Sequence, residues 1–337
     1  MRVAVLGAGA IGAYVGAALA RGGTEVHLIA RGENLEAMRR DGVQVLSQRG
    51  DFTVHPSATD DPAEVGPVDV VVLGLKAHDY ASAKPLLVPL LGPRTAFVAA
   101  QNGIPWWYFH RLGGPHDDRR IEAVDPDGAV SDAIPPDRAI GCVVYSSTEL
   151  ERPGVVRHIE GTRFSIGEPD GSASPRCTAF SEAMVAGGLK CPISPHIRDE
   201  IWIKLLGNVA FNPISALTGA SMAEICRHPG TRALVVSLME ETLEVARRLG
   251  SQPPITIERR LAGAERVGDH KTSMLQDLQA GKRFELAPIV DAVIELAELT
   301  ETVVPSLRAV AAVASLLDET LAAEPERSRG QTEADAR

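Results

Sequence analysis

Glycines 7, 9 and 12, directly after the apolar run VAVL at 3–6, constrain this chain more than any other feature. An apolar run with no polar break reads as a strand buried on both faces. The spacing is G-x-G-x-x-G. The first glycine permits a tight turn, the second lets a backbone approach a pyrophosphate, and the third lets the next helix pack closely on the strand. The pattern predicts a helix over 10–21, stopped by Gly22-Gly23. Its N-terminal N–H groups and dipole suit phosphates, so Gly7, Gly9, Ala10, Ile11 and Gly12 are the expected phosphate-binding residues.

The glycine spacing alone is weak. A second strand at 25–29 completes a βαβ unit around it and makes it specific. That strand ends at Ala30-Arg31, with no acid between Leu28 and Gly32. A dinucleotide without a 2′-phosphate ordinarily draws Asp or Glu there, onto the ribose hydroxyls. Arg31 instead offers a cation to a 2′-phosphate. The expected cofactor is therefore NADPH/NADP+ rather than NAD(H), against the plain alternative of a surface arginine. The same segment has some character of a secretory leader, with Arg2, apolar residues and an alanine-rich stretch at 17–20. The glycine spacing and the strand that needs a partner argue against that.

At 337 residues the chain is comfortable for two domains. Its hydrophobic fraction of 45% and charged fraction of 23% are ordinary for a globular protein. A net charge of −10 disfavours a nucleic-acid partner but leaves a small anionic substrate open. Cys142, Cys177, Cys191 and Cys226 show neither C-x-x-C nor zinc-ligand spacing. They read as reduced thiols, and no metal is expected. No uncharged run approaches the ~20 residues that span a bilayer. The expectation is a cytoplasmic protein with no membrane partner.

Further strands are predicted at 42–46, 68–73, 94–100, 140–149, 154–159 and 163–166, with helices at 34–41, 80–91 and 172–187. Turn signals interrupt residues 105–136, which read as a long, partly aromatic insertion containing Trp106, Trp107, Tyr108 and Phe109. Beyond Pro195 the pattern turns helical: 199–211, 221–226, 231–249, 256–267, 286–300 and 304–321. The predicted fold class is α/β, with an N-terminal Rossmann-type doubly wound parallel sheet and a C-terminal all-helical domain. The expected divisions are a nucleotide-binding domain over 1–195, a helical substrate domain over 196–321, and a disordered tail over 322–337. The apolar stretch 303–317 reads as core or interface.

The segment IWIKLLGNVAFNP at 201–213 carries the chemistry. Lys204, Asn208 and Asn212 fall at i, i+4 and i+8, on one helix face. The rest is apolar or glycine, and a helix apolar nearly all round is buried. Its one polar stripe then faces an internal polar site rather than bulk water, the alternative being a thin solvated face. Pro213 should end or kink the helix after Asn212. A cleft lysine beside a nicotinamide suggests carbonyl reduction. An ammonium within reach of a ketone oxygen polarises it and supplies the proton that the alkoxide needs, and burial brings a lysine pKa down toward the working range.

Lys76 follows the strand at 68–73 and Asn102 follows the strand at 94–100, so topology puts both on the cofactor side of the sheet. Ser273 reads as the cap of a short helix, and Glu285 as an acid in the first turn of the next. His78 follows Lys76, and His158, His196, His228 and His270 read as loop or surface residues.

These motifs together resemble the ketopantoate reductase (2-dehydropantoate 2-reductase) family over about residues 1–320. They are GAGAIG (7–12), Ala30-Arg31, Gly74-Leu75-Lys76, Gln101-Asn102-Gly103, GVVRH (154–158), IWIKLLGNVAFNP (201–213), and TSMLQD (272–277) with Glu285. The resemblance implies Lys204 as general acid. Asn102, Asn208, Asn212 and Ser273 would hold substrate carboxylate or hydroxyl groups, and Glu285 the substrate hydroxyl or the lysine. Arg31 and Lys76, with Asn102, would contact NADPH. The implied reaction is reduction of 2-dehydropantoate to (R)-pantoate on the route to pantothenate, and a homodimer is implied by the family's helical domains.

Three departures stand out. LAPIVD (286–291) replaces the family's usual Ile-Asp after Glu285, the 105–136 insertion is longer and more aromatic than usual, and 248–267 matches weakly. The insertion, starting beside Asn102-Gly103, is placed to reshape the substrate pocket. Two other readings therefore stand beside ketopantoate: a paralogue reducing a bulkier 2-oxo acid, or an opine-type dehydrogenase. A reading of another class is an NADP(H)-sensing binding protein without catalysis.

Overall fold

The computed structural model describes residues 1–268 and 271–335, with side chains as far as 323. His270 lies outside the described residues. The chain divides into two compact units, Met1–Glu200 and Ile201–Arg337.

The first unit opens with β1 (Arg2–Leu6), α1 (Ala10–Arg21), β2 (Glu25–Ile29) and α2 (Gly32–Asp41). Next come β3 (Val43–Ser47), β4 (Phe52–Val54), β5 (Ser57–Thr59), β6 (Val68–Leu73), α3 (Lys84–Leu87) and β7 (Leu91–Ala99). It closes with α4 (Ala129–Ala133), β8 (Ala139–Val144), β9 (Ser147–Arg152), β10 (Val155–Glu160), β11 (Phe164–Gly167) and α5 (Pro175–Ala186). Seven strands form one sheet in the order β11-β8-β7-β6-β1-β2-β5. All pair in parallel except β11, which runs antiparallel to β8. β1 sits between β2 and β6, with Val3 opposite Val26 on one side and Val70 on the other. β1, β6 and β8 are almost wholly buried, which is why they are largely apolar, the exceptions being Arg2 at the start of β1 and the exposed Asp69 in β6.

The strand predicted at 42–46 forms as β3, but in a second sheet ordered β4-β3-β10-β9. The single strand predicted at 140–149 is two: β8 in the first sheet and β9 in the second. α1 packs against strands of both sheets and against α5. Residues 12–19 of α1 are therefore buried on every side. Tyr14 stacks on His158 with ring centroids 4.9 Å apart. The His158 Nδ1 meets the Ser47 hydroxyl at 2.9 Å, and its Nε2 donates to the Gly161 carbonyl. This histidine, expected on the surface, is a core residue. His78, His196 and His228 are exposed, and His228 caps a later helix.

The helix predicted at 80–91 is broken into 3-10 turns around the single turn α3. Pro85 and Pro89 each remove a backbone donor and crowd the preceding turn, and the chain enters β7 at Leu91.

Residues 105–136, with Ile104 before them, bury an apolar set. Ile104, Trp106, Trp107, Tyr108, Phe109, Ile121, Val130 and Ile134 are all buried. The Trp106 Nε1 donates to the Ile134 carbonyl at 2.9 Å, and Tyr80 meets the Trp106 ring edge-on. The buried Asp125 carboxylate accepts from the Val130 and Ser131 amides at the start of α4. Arg198 ties down the aromatic run, donating to the Tyr108 and His110 carbonyls at 2.7 Å each.

The second unit is helical throughout. α6 (Ile197–Thr218) leads into it, followed by α7 (Met222–Arg227), α8 (Pro229–Arg248), α9 (Ile257–Val267) and α10 (Ser273–Gln279). A π-helical turn, Ala287–Asp291, continues into α11 (Ala292–Leu299), and α12 spans Pro305–Asp335. α6 does not end at Pro213. It runs five residues further, because Ile214, Ser215 and Ala216 are buried and packing outweighs the lost hydrogen bond. Ser221 and Glu224 form a capping box on α7.

Thr272, not Ser273, caps α10, accepting from the Leu275 amide at 3.2 Å. Glu285 precedes the next helix instead of lying in its first turn. The π-helical turn contains Pro288, whose missing donor shifts the ladder locally. In the stretch 303–317, Val304, Leu307 and Ala314 are buried while Val303, Val313 and Leu316 are exposed. The tail expected over 322–337 falls mostly outside the described side chains. Among the described residues no helix is long and apolar enough to cross a membrane.

Candidate functional site

In the first unit the glycine turn is held by close approach. Gly7 has φ +92°, a conformation that suits glycine. A Cβ at Gly12 would collide with the Gly7 carbonyl. One at Gly74, after β6, would stand 2.9 Å from the Gly12 Cα. These three positions must lack side chains for β1, α1 and β6 to meet. Gly9 is different: it is exposed, and nothing lies within 4 Å of where its Cβ would be. The backbone there is open to a ligand at the N-terminus of α1, where no side chain supplies a cap.

Asn34 locks the turn from α2. Its Nδ2 donates to the Ala8 carbonyl at 2.7 Å, and its Oδ1 accepts from the Gly154 amide at 2.9 Å. Nothing in the local sequence marks Asn34 for this role, since Gly154 is 120 residues away.

A cleft of about 590 Å³ opens over this turn. Its lining includes Gly7, Ala8, Gly9, Arg31, Asn34 and Asp60. Ala10, Ile11 and Gly12 form the first turn of α1, beside the cleft but not among the residues that line it. Arg31 is exposed, is the N-cap residue of α2, and is the one basic residue in the lining among the described residues. Asp60, which the sequence reading did not single out, contacts Arg39 at 3.4 Å. Lys76 and Asn102, both half-buried, follow the carboxyl ends of β6 and β7, the side of the sheet on which the glycine turn lies. Open backbone at a helix N-terminus, a tight glycine turn and an adjoining arginine fit a phosphorylated dinucleotide.

In the second unit, α6 carries Lys204, Asn208 and Asn212 at four-residue intervals. The helix around them is buried, from Trp202 at 0% to Phe211 at 2%. Lys204 and Asn208 are half-buried and Asn212 is buried. The Asn212 Nδ2 donates to the Ser273 hydroxyl at 3.4 Å, which joins α10 to this stripe. Ser273, released from capping by Thr272, is thus part of the polar cluster. Glu285 is half-buried between α10 and the π-helical turn. A primary ammonium followed along one face by two amides, the second bonded to a hydroxyl, on a stretch of helix otherwise apolar from 201 to 211, can hold a small polar anion and pass one proton.

The cysteines offer no competing chemistry. All four are buried thiols, and burial pushes Cys177 and Cys191 up to about 12, far from the thiolate form.

Two family models match the chain. One, described as ketopantoate reductase PanE/ApbA, covers residues 3–171. The other, its C-terminal counterpart, covers 196–318. A 2-dehydropantoate 2-reductase of Mesorhizobium japonicum is 46% identical over 93% of this chain and 96% of its own length. One from Halobacterium salinarum is 30% identical over 92% and 97%. A solved structure from Ralstonia solanacearum MolK2 superposes with a TM-score of 0.89 at 36% identity, covering 95% of this chain and 98% of that one.

Proposed function

We infer the function from one premise: this chain belongs to the ketopantoate reductase family. Members are NADPH-dependent oxidoreductases that reduce ketopantoate to pantoate, and this chain is an oxidoreductase acting on a C=O/CH–OH pair. The specific reading is that it reduces 2-dehydropantoate to (R)-pantoate with NADPH. The observation that carries this is the Lys204–Asn208–Asn212 stripe joined to Ser273. A protein that only sensed NADP(H) would have no use for it. The buried state of Trp106–Phe109 weakens the reason for preferring a bulkier 2-oxo acid, because Trp106 and Trp107 are engaged by Tyr80, Ile134 and Gly141 of the first unit.

The first unit holds the dinucleotide through the backbone of Gly7, Gly9, Ala10, Ile11 and Gly12, with Arg31 and Lys76 on its anionic groups and Asn102 beyond them. When bound, the reduced nicotinamide supplies the hydride. Lys204 donates its proton to the ketone oxygen and stabilises the charge that develops there. Asn208, Asn212 and Ser273 orient the substrate's polar groups, and Glu285 engages its hydroxyl or the lysine. We place the reaction in the cytoplasm, where buried thiols with no disulfide stay reduced, and we expect the chain to act as a homodimer.

NADPH oxidation should be fastest, by kcat/KM, with ketopantoate among a panel of aliphatic, branched and aromatic 2-oxo acids. An aromatic acid ahead of it would sink the ketopantoate assignment. Arg31→Ala should weaken NADPH by about 10- to 100-fold, the range of a charge-assisted contact to phosphate, and leave NADH within about two-fold. Equal losses with both cofactors would show that Arg31 does not read the 2′-phosphate.

A further inference from the structure

Arg31 is not the sole charge in the cleft over the glycine turn. Asp60 and Asp79 line it too. Asp79 follows β6, three strands away from β5 in the sheet. Asp60 directly follows β5, which pairs in parallel with β2. The Ala30 amide donates to the Thr59 carbonyl at 3.0 Å. That bond joins the residue before Arg31 to the residue before Asp60. Adjacent strands lie about 4.8 Å apart, so Arg31 and Asp60 leave the sheet side by side at its carboxyl edge.

The neighbouring acids have local partners. Asp61 accepts from the Ala63 amide at 2.9 Å, and Glu64 from the Thr59 hydroxyl at 2.6 Å. The partner of Asp60 comes from α2: the Arg39 Nη2 meets its Oδ1 at 3.4 Å. Arg39 is anchored through its Nε, which donates to the Ala58 carbonyl at 3.1 Å, and Glu36 stands 3.9 Å from its Nη1. A carboxylate beside the end of β2 suits a free ribose hydroxyl, which donates to it. The same carboxylate repels a 2′-phosphate, which carries about two negative charges.

We propose that Asp60 opposes Arg31 in reading the 2′ position of the dinucleotide, and that Arg39 is the positioning residue that draws the carboxylate toward α2. This rests on the NADPH reading above. Arg31 attracts the 2′-phosphate, Asp60 disfavours it, and the Arg39 contact sets how much of that repulsion is felt. Cofactor preference then depends on three charges rather than on one arginine.

The test uses two fragments without nicotinamide, adenosine 2′,5′-bisphosphate and adenosine 5′-monophosphate. Each is titrated calorimetrically into full-length wild type, Asp60→Asn, Arg39→Met and the double variant. Both side chains are exposed, so neither change empties a core. The readout is the ratio of the two dissociation constants, which cancels any loss common to both fragments. Asp60→Asn should shift the ratio toward the bisphosphate by about 3- to 10-fold. Arg39→Met should shift it the other way by a similar factor. The double variant should match Asp60→Asn, because a guanidinium that acts through Asp60 then has nothing to act on. A loss from Arg39→Met that persists in the double variant would show direct contact with phosphate and overturn the positioning role. Wild type without preference for the bisphosphate would overturn the NADPH reading itself. Wild type that prefers it, with the ratio unmoved in Asp60→Asn, would overturn only the role of Asp60.

Discussion

Lys204→Ala is expected to lower kcat/KM for ketopantoate by about 10³-fold or more, while NADPH affinity stays within about two-fold. General-acid catalysis alone contributes about 10²- to 10⁴-fold, and a fixed cation at a developing alkoxide adds an electrostatic share. A loss of 10³ corresponds to about 4 kcal/mol of transition-state stabilisation. Folding should tolerate the change. Alanine is the best helix former, and Lys204 is only half-buried on α6. Steady-state kinetics and direct NADPH titration check both halves. Full turnover in the variant would remove Lys204 from the chemistry, whatever happened to cofactor binding.

Trp107→Ala should damage the first unit severely, destabilising it by about 3–5 kcal/mol. The ring is 2% exposed and lies against Gly141 of β8, where an added Cβ would come within 2.8 Å of it. Removing it empties a volume enclosed by β8 and the start of α6, since Ile197 also faces Gly141. At this size the melting temperature should fall by about 10 °C. The ranking of 2-oxo acids, measured per folded molecule, should not change. A variant with unchanged melting but an altered ranking would make the aromatic run a pocket element after all. This result also bears on residues 105–136: dense turn signals resemble an open loop, yet Trp106, Trp107, Tyr108, Phe109, Ile121, Val130 and Ile134 are buried.

Much of the first unit was legible because its signals are local. A buried strand, a glycine turn and a helix stop lie within 25 residues, and each element forces the next. β6 appears at its predicted limits for the same reason: apart from Asp69 its sequence is apolar. The stripe on α6 was legible because helical spacing is arithmetic on the chain. Boundaries failed where no residue announced them. Residues 144–147 carry neither glycine nor proline, so β8 and β9 merged into one predicted strand. Pro213 did announce an end, and burial overrode it.

By itself, then, the sequence determined the βαβ glycine turn, the change to helices beyond Pro195, and one polar face on a buried helix, because these depend on neighbours a few residues apart. Only the tertiary structure decided the rest. It assigned the strands at 43–47, 52–54, 147–152 and 155–160 to a second sheet packed on α1. It brought Asn34 to Gly154 and Ser273 to Asn212, and it put the guanidinium of Arg260 in the space that Gly207 leaves empty. The physical reason is separation along the chain: the contacts that shape each site join residues about 50 to 120 positions apart. No local propensity or periodicity reports on such pairs, and packing alone selects them.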